Sequence, residues 1–446
     1  PMLQSGLVLC KKYQNNRRRM MSDWRAIKLK DVCQRITVGH VGSMAGEYQE
    51  SGIPFLRSLN ISPFRISRRE LKFIDRRFHD RLKKSALKPG DVAVVRTGYP
   101  GTACVIPEEL GEANCSDLVL ITPSPKLNPH FLAAIFNSTF GRDLVGGNLV
   151  GAAQQHFNIT TAKELRLLIP SKPTQDKIAA ILTAYDDLIE VNKRRIALLE
   201  QMAEELYREW FVRMRFPGHQ TTKFIKGVPE GWEVIKIGER VSTQYGYTES
   251  ADENPANPKF LRITDIVPRQ INWDRVPHCP IGESDEDKYR LREGDIVVAR
   301  TGATVGYAKR ISKINWRAVF ASYLVRLVPE NSVDSIYLGM AVESAAFKDF
   351  IQGFVTGAAQ PQANATTMSL FPLFYPDQNL LRRFNSIVQP LFDQKDLLML
   401  QARNLTQTRD LLLPRLISGK LSVENLDIAF PRSMQETPTS VATHVG

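Results

Sequence analysis

Gly90-Asp91-Val92-Ala93-Val94-Val95-Arg96-Thr97-Gly98 reads as a buried strand opened by a turn and closed by an arginine and a glycine. The chain writes it again as Gly294-Asp295-Ile296-Val297-Val298-Ala299-Arg300-Thr301-Gly302, 204 residues later. Working outward, Phe55-Leu56-Arg57 recurs as Phe260-Leu261-Arg262, and Gly151-Ala152-Ala153-Gln154 as Gly357-Ala358-Ala359-Gln360. Pro170 matches Pro376, and Trp24 has a partner in Trp232. Landmarks in one order at nearly one offset mark a tandem duplication with a period near 205 residues.

Each copy has the same layout. Asp91–Arg96, Leu118–Thr122 and their counterparts Asp295–Arg300 and Leu324–Val328 are expected as strands. Helices are expected over Asn128–Leu144 and Asp334–Ile351, with Asn128 and Asp334 as N-caps. A Pro-bounded strand, Leu165–Pro170 or Leu370–Pro376, then leads into a long charged helix. From Ile178, alternating steps of four and three give Leu182, Tyr185, Ile189, Asn192, Ile196, Leu199, Ala203, Leu206 and Trp210, a coiled-coil seam with one polar position. Thr174 is the expected N-cap after Pro173, and Pro217-Gly218 the expected stop. The second seam, Phe384, Leu391, Leu398, Leu405 and Leu412 at sevens with Val388, Lys395, Ala402 and Arg409 between them, is poorer, and Pro390 should kink it. Asn192 and Lys395 read as register devices rather than ligand-binding groups. A helix from Pro173 to Arg215 would be about 64 Å long. Two such helices can pair antiparallel, or face partner proteins, or do both.

At 446 residues, with 43% apolar and 24% charged side chains, the chain has room for two or three globular domains. It contains no apolar run long enough to span a membrane. Five cysteines without a CxxC pair argue against a disulfide framework or a zinc site. Enzymatic tools are missing as well. There is no phosphate-binding Gly-x-x-x-x-Gly-Lys loop, no GxGxxG, GxSxG or HExxH, and no Pro-Pro dipeptide of the kind an amino-methyltransferase motif needs. The doublets Asp186-Asp187 and Glu204-Glu205 fall on the helical stretch, where solvated charges are expected. The chain is therefore expected to be non-catalytic, with no metal site.

The net charge of +12 points to a polyanion, and its distribution is uneven. Residues 1–19 carry five basic side chains and no acidic one, residues 20–170 a net +6, and residues 216–376 a balance of 18 and 18. Within the first copy, Arg65, Arg68, Arg69, Lys72, Arg76, Arg77, Arg81, Lys83 and Lys84 stand against three acids and are interleaved with Phe64, Phe73 and Phe78. That is a phosphate-binding pattern. The second copy has Asp285-Glu286-Asp287 at the matching place. Candidate base readers lie in polar loops: Arg96, Thr97, Tyr99, Gln154, Gln155, His156 and Asn158 in the first copy, and Arg300, Thr301, Gln360, Gln362 and Asn364 in the second. Arg96 and Arg300, like Gln154 and Gln360, recur in both copies, so a structural role stands beside base contact for them. Tyr99, Gln155, His156, Gln362 and Asn364 are read as differing between copies and so as better suited to specificity.

The repeated Gly-Asp-(four hydrophobics)-Arg-Thr-Gly strand, the Gly-Ala-Ala-Gln loop and the Ile169-Pro170 or Tyr375-Pro376 exit into a long helix form a specific combination. Together with Leu416-Ile417-Ser418-Gly419-Lys420-Leu421, they resemble the specificity (S) subunit of a Type I restriction–modification system over about residues 22–420. The resemblance implies an α+β chain with two tandem α/β target-recognition domains, separated by two long antiparallel coiled-coil helices with pseudo-twofold symmetry. Laid on this sequence, the domains are 22–170 and 217–376 and the spacer helices 171–216 and 377–421. Residues 1–21 are expected as a disordered or cloning-derived leader, with Met20 or Met21 as the natural start, and 422–446 as a C-terminal tail. Each domain would read one half of a bipartite site on double-stranded DNA. The helices, through Ile178, Leu182, Ile189, Asn192, Ile196, Leu199, Leu206, Leu391, Lys395, Leu398, Leu405 and Leu412, would dock two modification (methyltransferase) subunits. Restriction (translocase/nuclease) subunits would join them, in a prokaryotic cytoplasm. No cofactor is expected in this chain; S-adenosylmethionine, ATP and Mg belong on the partner subunits. The alternatives are a solitary DNA-binding regulator without a methylation partner and a fragment of a fused methyltransferase–specificity enzyme.

Overall fold

The computed structural model describes residues 24–147, 156–355 and 362–434. The chain divides into two compact units, one of Pro1–Val191 with Gln401–Gly446 and one of Asn192–Leu400. No helix among the described residues is long and apolar enough to cross a membrane.

In the first unit an antiparallel sheet runs in the order Cys33–Val38, Leu118–Pro123, Val92–Val95, Ala103–Val105. In the second unit the order Val241–Tyr245, Leu324–Pro329, Ile296–Ala299, Ala308–Arg310 repeats it. The central strands are buried on both faces, as their unbroken Val/Ile/Ala runs require. Their faces pack into separate apolar clusters: Val92 and Val94 into one, Ala93 and Val95 into another.

The aspartate opening each motif holds the turn rather than a ligand. Asp91 accepts from the Lys88 N–H (3.0 Å), the Thr122 hydroxyl (2.5 Å) and the Arg35 guanidinium (2.6 Å). Asp295 accepts from the Arg292 N–H (2.8 Å) and from Arg326 (3.2 Å). Burial pushes the Asp295 carboxyl above the ordinary carboxylate range, against the pull of the Arg292 N–H and Arg326.

The helices after the sheets are each broken in two. Pro129–Asn137 gives way to Thr139–Gly146 at Ser138, whose hydroxyl donates to the Ile135 carbonyl and accepts from the Gly141 N–H. A side chain at Gly141 would meet that carbonyl at 1.9 Å, so the break needs glycine there. Asp334–Val342 and Ala345–Val355 are separated likewise. Asn128 caps its helix as expected, accepting from the His130 and Phe131 N–H groups. Asp334 does not: it is the first helical residue, and its buried carboxylate accepts from the Tyr375 hydroxyl (2.9 Å) and the Gln378 amide (3.1 Å).

The first long helix runs from Lys172 to Tyr207, so Thr174 lies inside it, with its hydroxyl 3.0 Å from that of Ser171. It ends before Pro217-Gly218 in a π-turn, Arg208–Val212, which seats the consecutive Trp210 and Phe211 in one aromatic cluster with Tyr337 and Phe384. The second long helix, Gln378–Ile417, continues through Pro390 without interruption. In each unit the two helices pair antiparallel. Ile178 and Leu182 pack with Leu412, Leu413 and Leu416 in the first unit, and Ala203, Leu206 and Trp210 with Phe384, Val388 and Leu391 in the second.

Candidate nucleic-acid interface

In the first unit the strand Val92–Val95 delivers Arg96, Thr97, Gly98 and Tyr99 to a polar end of the sheet. Gly98 and Gly101 take positive φ (81° and 91°), and the turn between them leaves Tyr99 85% exposed. The Thr97 hydroxyl donates to the Asp117 carboxylate, which also accepts from the Ser58 hydroxyl at 3.0 Å. Asp117 sits at φ 55°, a left-handed position that aspartate tolerates and that turns its carboxylate to these two hydroxyls. The Phe157 N–H donates to the Arg96 carbonyl at 3.1 Å, bringing the segment from His156 onto the same end.

The basic segment is tied to this network. The Asn60 amide donates to the Ser67 and Arg69 carbonyls (3.0 and 2.9 Å), and Arg57 donates to the Glu70 carbonyl at 2.6 Å. Residues 65–84 fold as two short strands, Arg65–Ile66 and Lys72–Ile74, the helix Arg76–Arg81 and the turn Lys83–Ser85. All nine basic side chains are exposed. They are not equivalent, however. Arg65 pairs with Glu190 (3.1 Å), Arg69 with Glu70 (3.4 Å), Arg76 with Glu112, and Arg81 with Glu47 (3.5 Å). Lys72 lies over the Tyr48 ring. Among the described residues, no carboxylate pairs with Arg68, Arg77, Lys83 or Lys84 in an ion pair. Exposed pairs of this kind are weak enough for a phosphate to displace.

The second unit presents the same backbone with different chemistry. Arg300 ends its strand with its guanidinium 4.8 Å from the centre of the Tyr245 ring. Its N–H donates to the Tyr323 carbonyl (3.0 Å), and its carbonyl accepts from Ala363 (2.8 Å), the counterpart of the Phe157 bond. Thr301 bridges to the exposed Gln362, and the Tyr245 hydroxyl accepts from the Ala365 N–H at 3.1 Å. Tyr323 occupies the place of Asp117 and is largely exposed. In both units the Nε of the motif arginine is buried and has no hydrogen-bond partner among the described residues. The acidic Asp285-Glu286-Asp287 lies on the helix Glu283–Tyr289, where Glu286 turns inward to Arg317 (2.9 Å) and Arg290 (3.3 Å). The hydrogen bond from Arg317 holds the Glu286 carboxyl below its ordinary range.

The structure thus gathers Arg96, Thr97 and His156 in one unit, and Arg300, Thr301 and Gln362 in the other. Gln154, Gln155 and Gln360 lie outside the described residues. Asn158 and Asn364 cap helices through their side-chain oxygens. Each side-chain oxygen accepts from the N–H three residues on, Thr161 (2.8 Å) or Thr367 (2.7 Å), and the two are equivalent positions rather than a difference between copies. The structure adds Ser58, Asp117, Tyr245 and Tyr323 to these clusters. The alignment of Ser116-Asp117-Leu118 with Ser322-Tyr323-Leu324 could have found the second and fourth of them.

The long helices carry a further surface. Leu188, Val191, Leu198 and Met202 stand exposed at heptad-related spacing on the first helix, away from the seam. Lys28 and Lys30 clasp Glu164 and lower its carboxyl to about 2, a surface clamp apart from the loops above.

A family model for the Type I restriction modification DNA specificity domain matches residues 21–201. Among curated proteins, the MjaIX Type I specificity subunit of Methanocaldococcus jannaschii is 24% identical over 424 residues, covering 91% of this chain and 95% of that one. The HindI specificity subunit of Haemophilus influenzae is 21% identical over 409 residues, covering 76% and 88%. Among solved structures, the S subunit of a Type I restriction–modification system from M. genitalium superposes with a TM-score of 0.58 at 16% identity, over 88% of this chain and 96% of that one. That is a likeness of fold.

Proposed function

We propose that this chain is a Type I restriction–modification DNA specificity subunit, as its similarity to such proteins supports, and that its two units read the two halves of a split DNA site with different chemistry. The observation that carries this reading is the shared strand end, Arg-Thr-Gly, set beside Asp117 in one unit and Tyr323 in the other. Asp117, steadied by two hydroxyls, is an acceptor suited to the exocyclic amino group of cytosine or adenine in the major groove. Arg300, Gln362 and Tyr323 supply donors and an aromatic face, and Arg suits guanine. Arg68, Arg77, Lys83 and Lys84 hold phosphates and set the first unit's position on the duplex.

The finer assembly belongs to this proposal too. The seam residues Ile178, Leu182, Ile189, Ile196 and Leu398 are buried within the chain's own units, which leaves the stripe Leu188, Val191, Leu198 and Met202 as the surface for methyltransferase subunits. Methyl transfer from S-adenosylmethionine, and cleavage with ATP and Mg, are then the work of those subunits and of the restriction subunits. This chain contributes recognition without catalysis.

The test maps modified bases produced by the assembled complex. Asp117→Asn should change one half-site and leave the other and the spacing intact. A change in both halves, or none in an active complex, would overturn the two-unit reading. Leu198→Glu with Met202→Glu should lose the methyltransferase on co-purification while keeping the fold by circular dichroism. Full retention of the methyltransferase would remove the stripe from the assembly.

A further inference from the structure

The two long helices carry opposite charges at matched places. In the first unit Asp186 pairs with Arg409. In the second, Glu200 pairs with Lys395 at 3.9 Å. The two acids are both on the first helix, and the two bases are both on the second. Asp186 and Glu200 lie 14 residues apart, as do Lys395 and Arg409, which is two heptads in each case. Antiparallel pairing joins them in crossed order, and both pairs fit one register. None of the four side chains is more than 21% exposed, so each charge is largely withdrawn from water and is costly to leave beside a like charge.

Each globular half also touches its pair. The Phe64 ring lies 5.2 Å from the Arg409 guanidinium and Arg65 bonds Glu190, while Arg269 bonds Glu200 at 2.6 Å. Phe64 and Arg269 are counterparts in the repeat.

A duplicated chain has an alternative partner for each helix. A second copy of the same helix presents nearly the same apolar seam. Two first helices laid antiparallel in the equivalent register would set Asp186 against the Glu200 of a second copy, twice over. Two second helices would set Lys395 against Arg409 in the same way. We propose that this division of charge makes the first long helix accept the second and reject another copy of itself, so that the chain closes on itself instead of pairing with a like chain. A polar or charged group at such a position costs stability and gains a single alignment.

The experiment exchanges one pair in the full chain. Asp186→Arg with Arg409→Asp keeps an opposite-charge pair within the chain, but gives each helix one acid and one base. Like helices then become complementary. A second variant, Asp186→Asn, Glu200→Gln, Lys395→Gln and Arg409→Gln, removes the discrimination without reversing any charge. Lys193→Cys is added to every form as a reporter. Residue 193 lies midway between 186 and 200, so only two first helices in the like-with-like register bring it against itself.

The wild-type charges should give monomers by sedimentation and no cross-link through residue 193. The exchanged and neutral variants should dimerise with a dissociation constant lower by at least about tenfold and cross-link through residue 193. If circular dichroism shows the exchanged variant unfolded, the neutral variant decides. Monomers in every form, or dimers that do not cross-link through residue 193, would overturn the proposal.

Discussion

The two units put one scaffold to unlike uses, and the contrast is sharpest in how each treats its acids. In the first unit Asp117 is turned by a left-handed backbone toward a polar loop cluster, beside a basic segment in which four cations pair with no carboxylate among the described residues. In the second, Glu286 is drawn inward by two arginines, and the loop end carries Tyr245, Tyr323 and Arg300 instead. Even the shared acid of the central motif is served differently. Arg35 reaches Asp91 from the edge strand Cys33–Val38, whereas Arg326 reaches Asp295 from the neighbouring strand Leu324–Pro329. The backbone is kept, and the polar partners around it are free to move. Duplication therefore preserves a sheet and leaves its loops to diverge.

The largest test of that contrast removes the arginines. Arg326→Met should destabilise the second unit by about 3 kcal/mol, since it leaves Asp295 buried with the Arg292 N–H as its sole hydrogen-bond donor among the described residues. Arg35→Met should cost the first unit less, because Thr122 and Lys88 still serve Asp91. Hydrogen exchange on Val92–Val95 and Ile296–Ala299 reads the two separately, and equal losses would erase the distinction.

A smaller effect distinguishes the units by pH. His130, packed near the Thr183 hydroxyl, is held down to about 4 by burial, while its counterpart in the second unit is Ile336. Its folded value lies below the unfolded value near 6.5, so the unfolded chain takes the proton first. The stability of the first unit should be complete above pH 6.5 and fall by roughly 2 kcal/mol as pH drops from 6.5 toward 4. His130→Ile should flatten that profile, with the second unit unchanged in either form.

Base discrimination is expected at about 1–2 kcal/mol per position. Tyr323→Phe should alter preference only in the half-site read by the second unit, as measured by competition binding of the assembled complex. The smallest effect per residue is electrostatic. Neutralising Arg68, Arg77, Lys83 and Lys84 should reduce the slope of log affinity against log salt by about 3 to 4, whereas Asp285→Asn with Asp287→Asn should leave it nearly unchanged. A slope unchanged by the first set would detach the basic segment from DNA.

Much of the fold is legible because burial writes itself into composition. Val92–Val95 and Ile296–Ala299 are β-branched runs between turns, and Ile178 to Trp210 keeps a heptad rhythm. The helix breaks are not legible in that way. Ser138 and Gly141 interrupt an apolar pattern that stays continuous, and the interruption depends on one close approach to the Ile135 carbonyl. Asp334 looks like a cap by type and position, but a tyrosine distant in sequence claims its carboxylate. At the interface, residue type located the loops but did not divide their labour. Asn158 and Asn364 have the amides of base readers and spend their oxygens on helix starts. Asp117 is one of many acids in its copy; the repeat shows that its position differs between copies, and its hydroxyl partners, Ser58 and Thr97, show what it does.

The placement of Arg35 and Arg326 makes splices between the halves non-reciprocal. A hybrid that takes the first copy up to the strand Ala103–Val105 and the second copy thereafter inherits both arginines around Asp91. The opposite hybrid inherits neither, because Ser242 stands at the place of Arg35 and Leu120 at that of Arg326, so Asp295 keeps the Arg292 N–H and gains the Thr122 hydroxyl but has no counterion. One junction yields a crowded but neutralised turn, and its mirror yields a buried carboxylate without a cation. Cut outside the sheet instead, either unit carries its own counterion with it and can be transplanted whole.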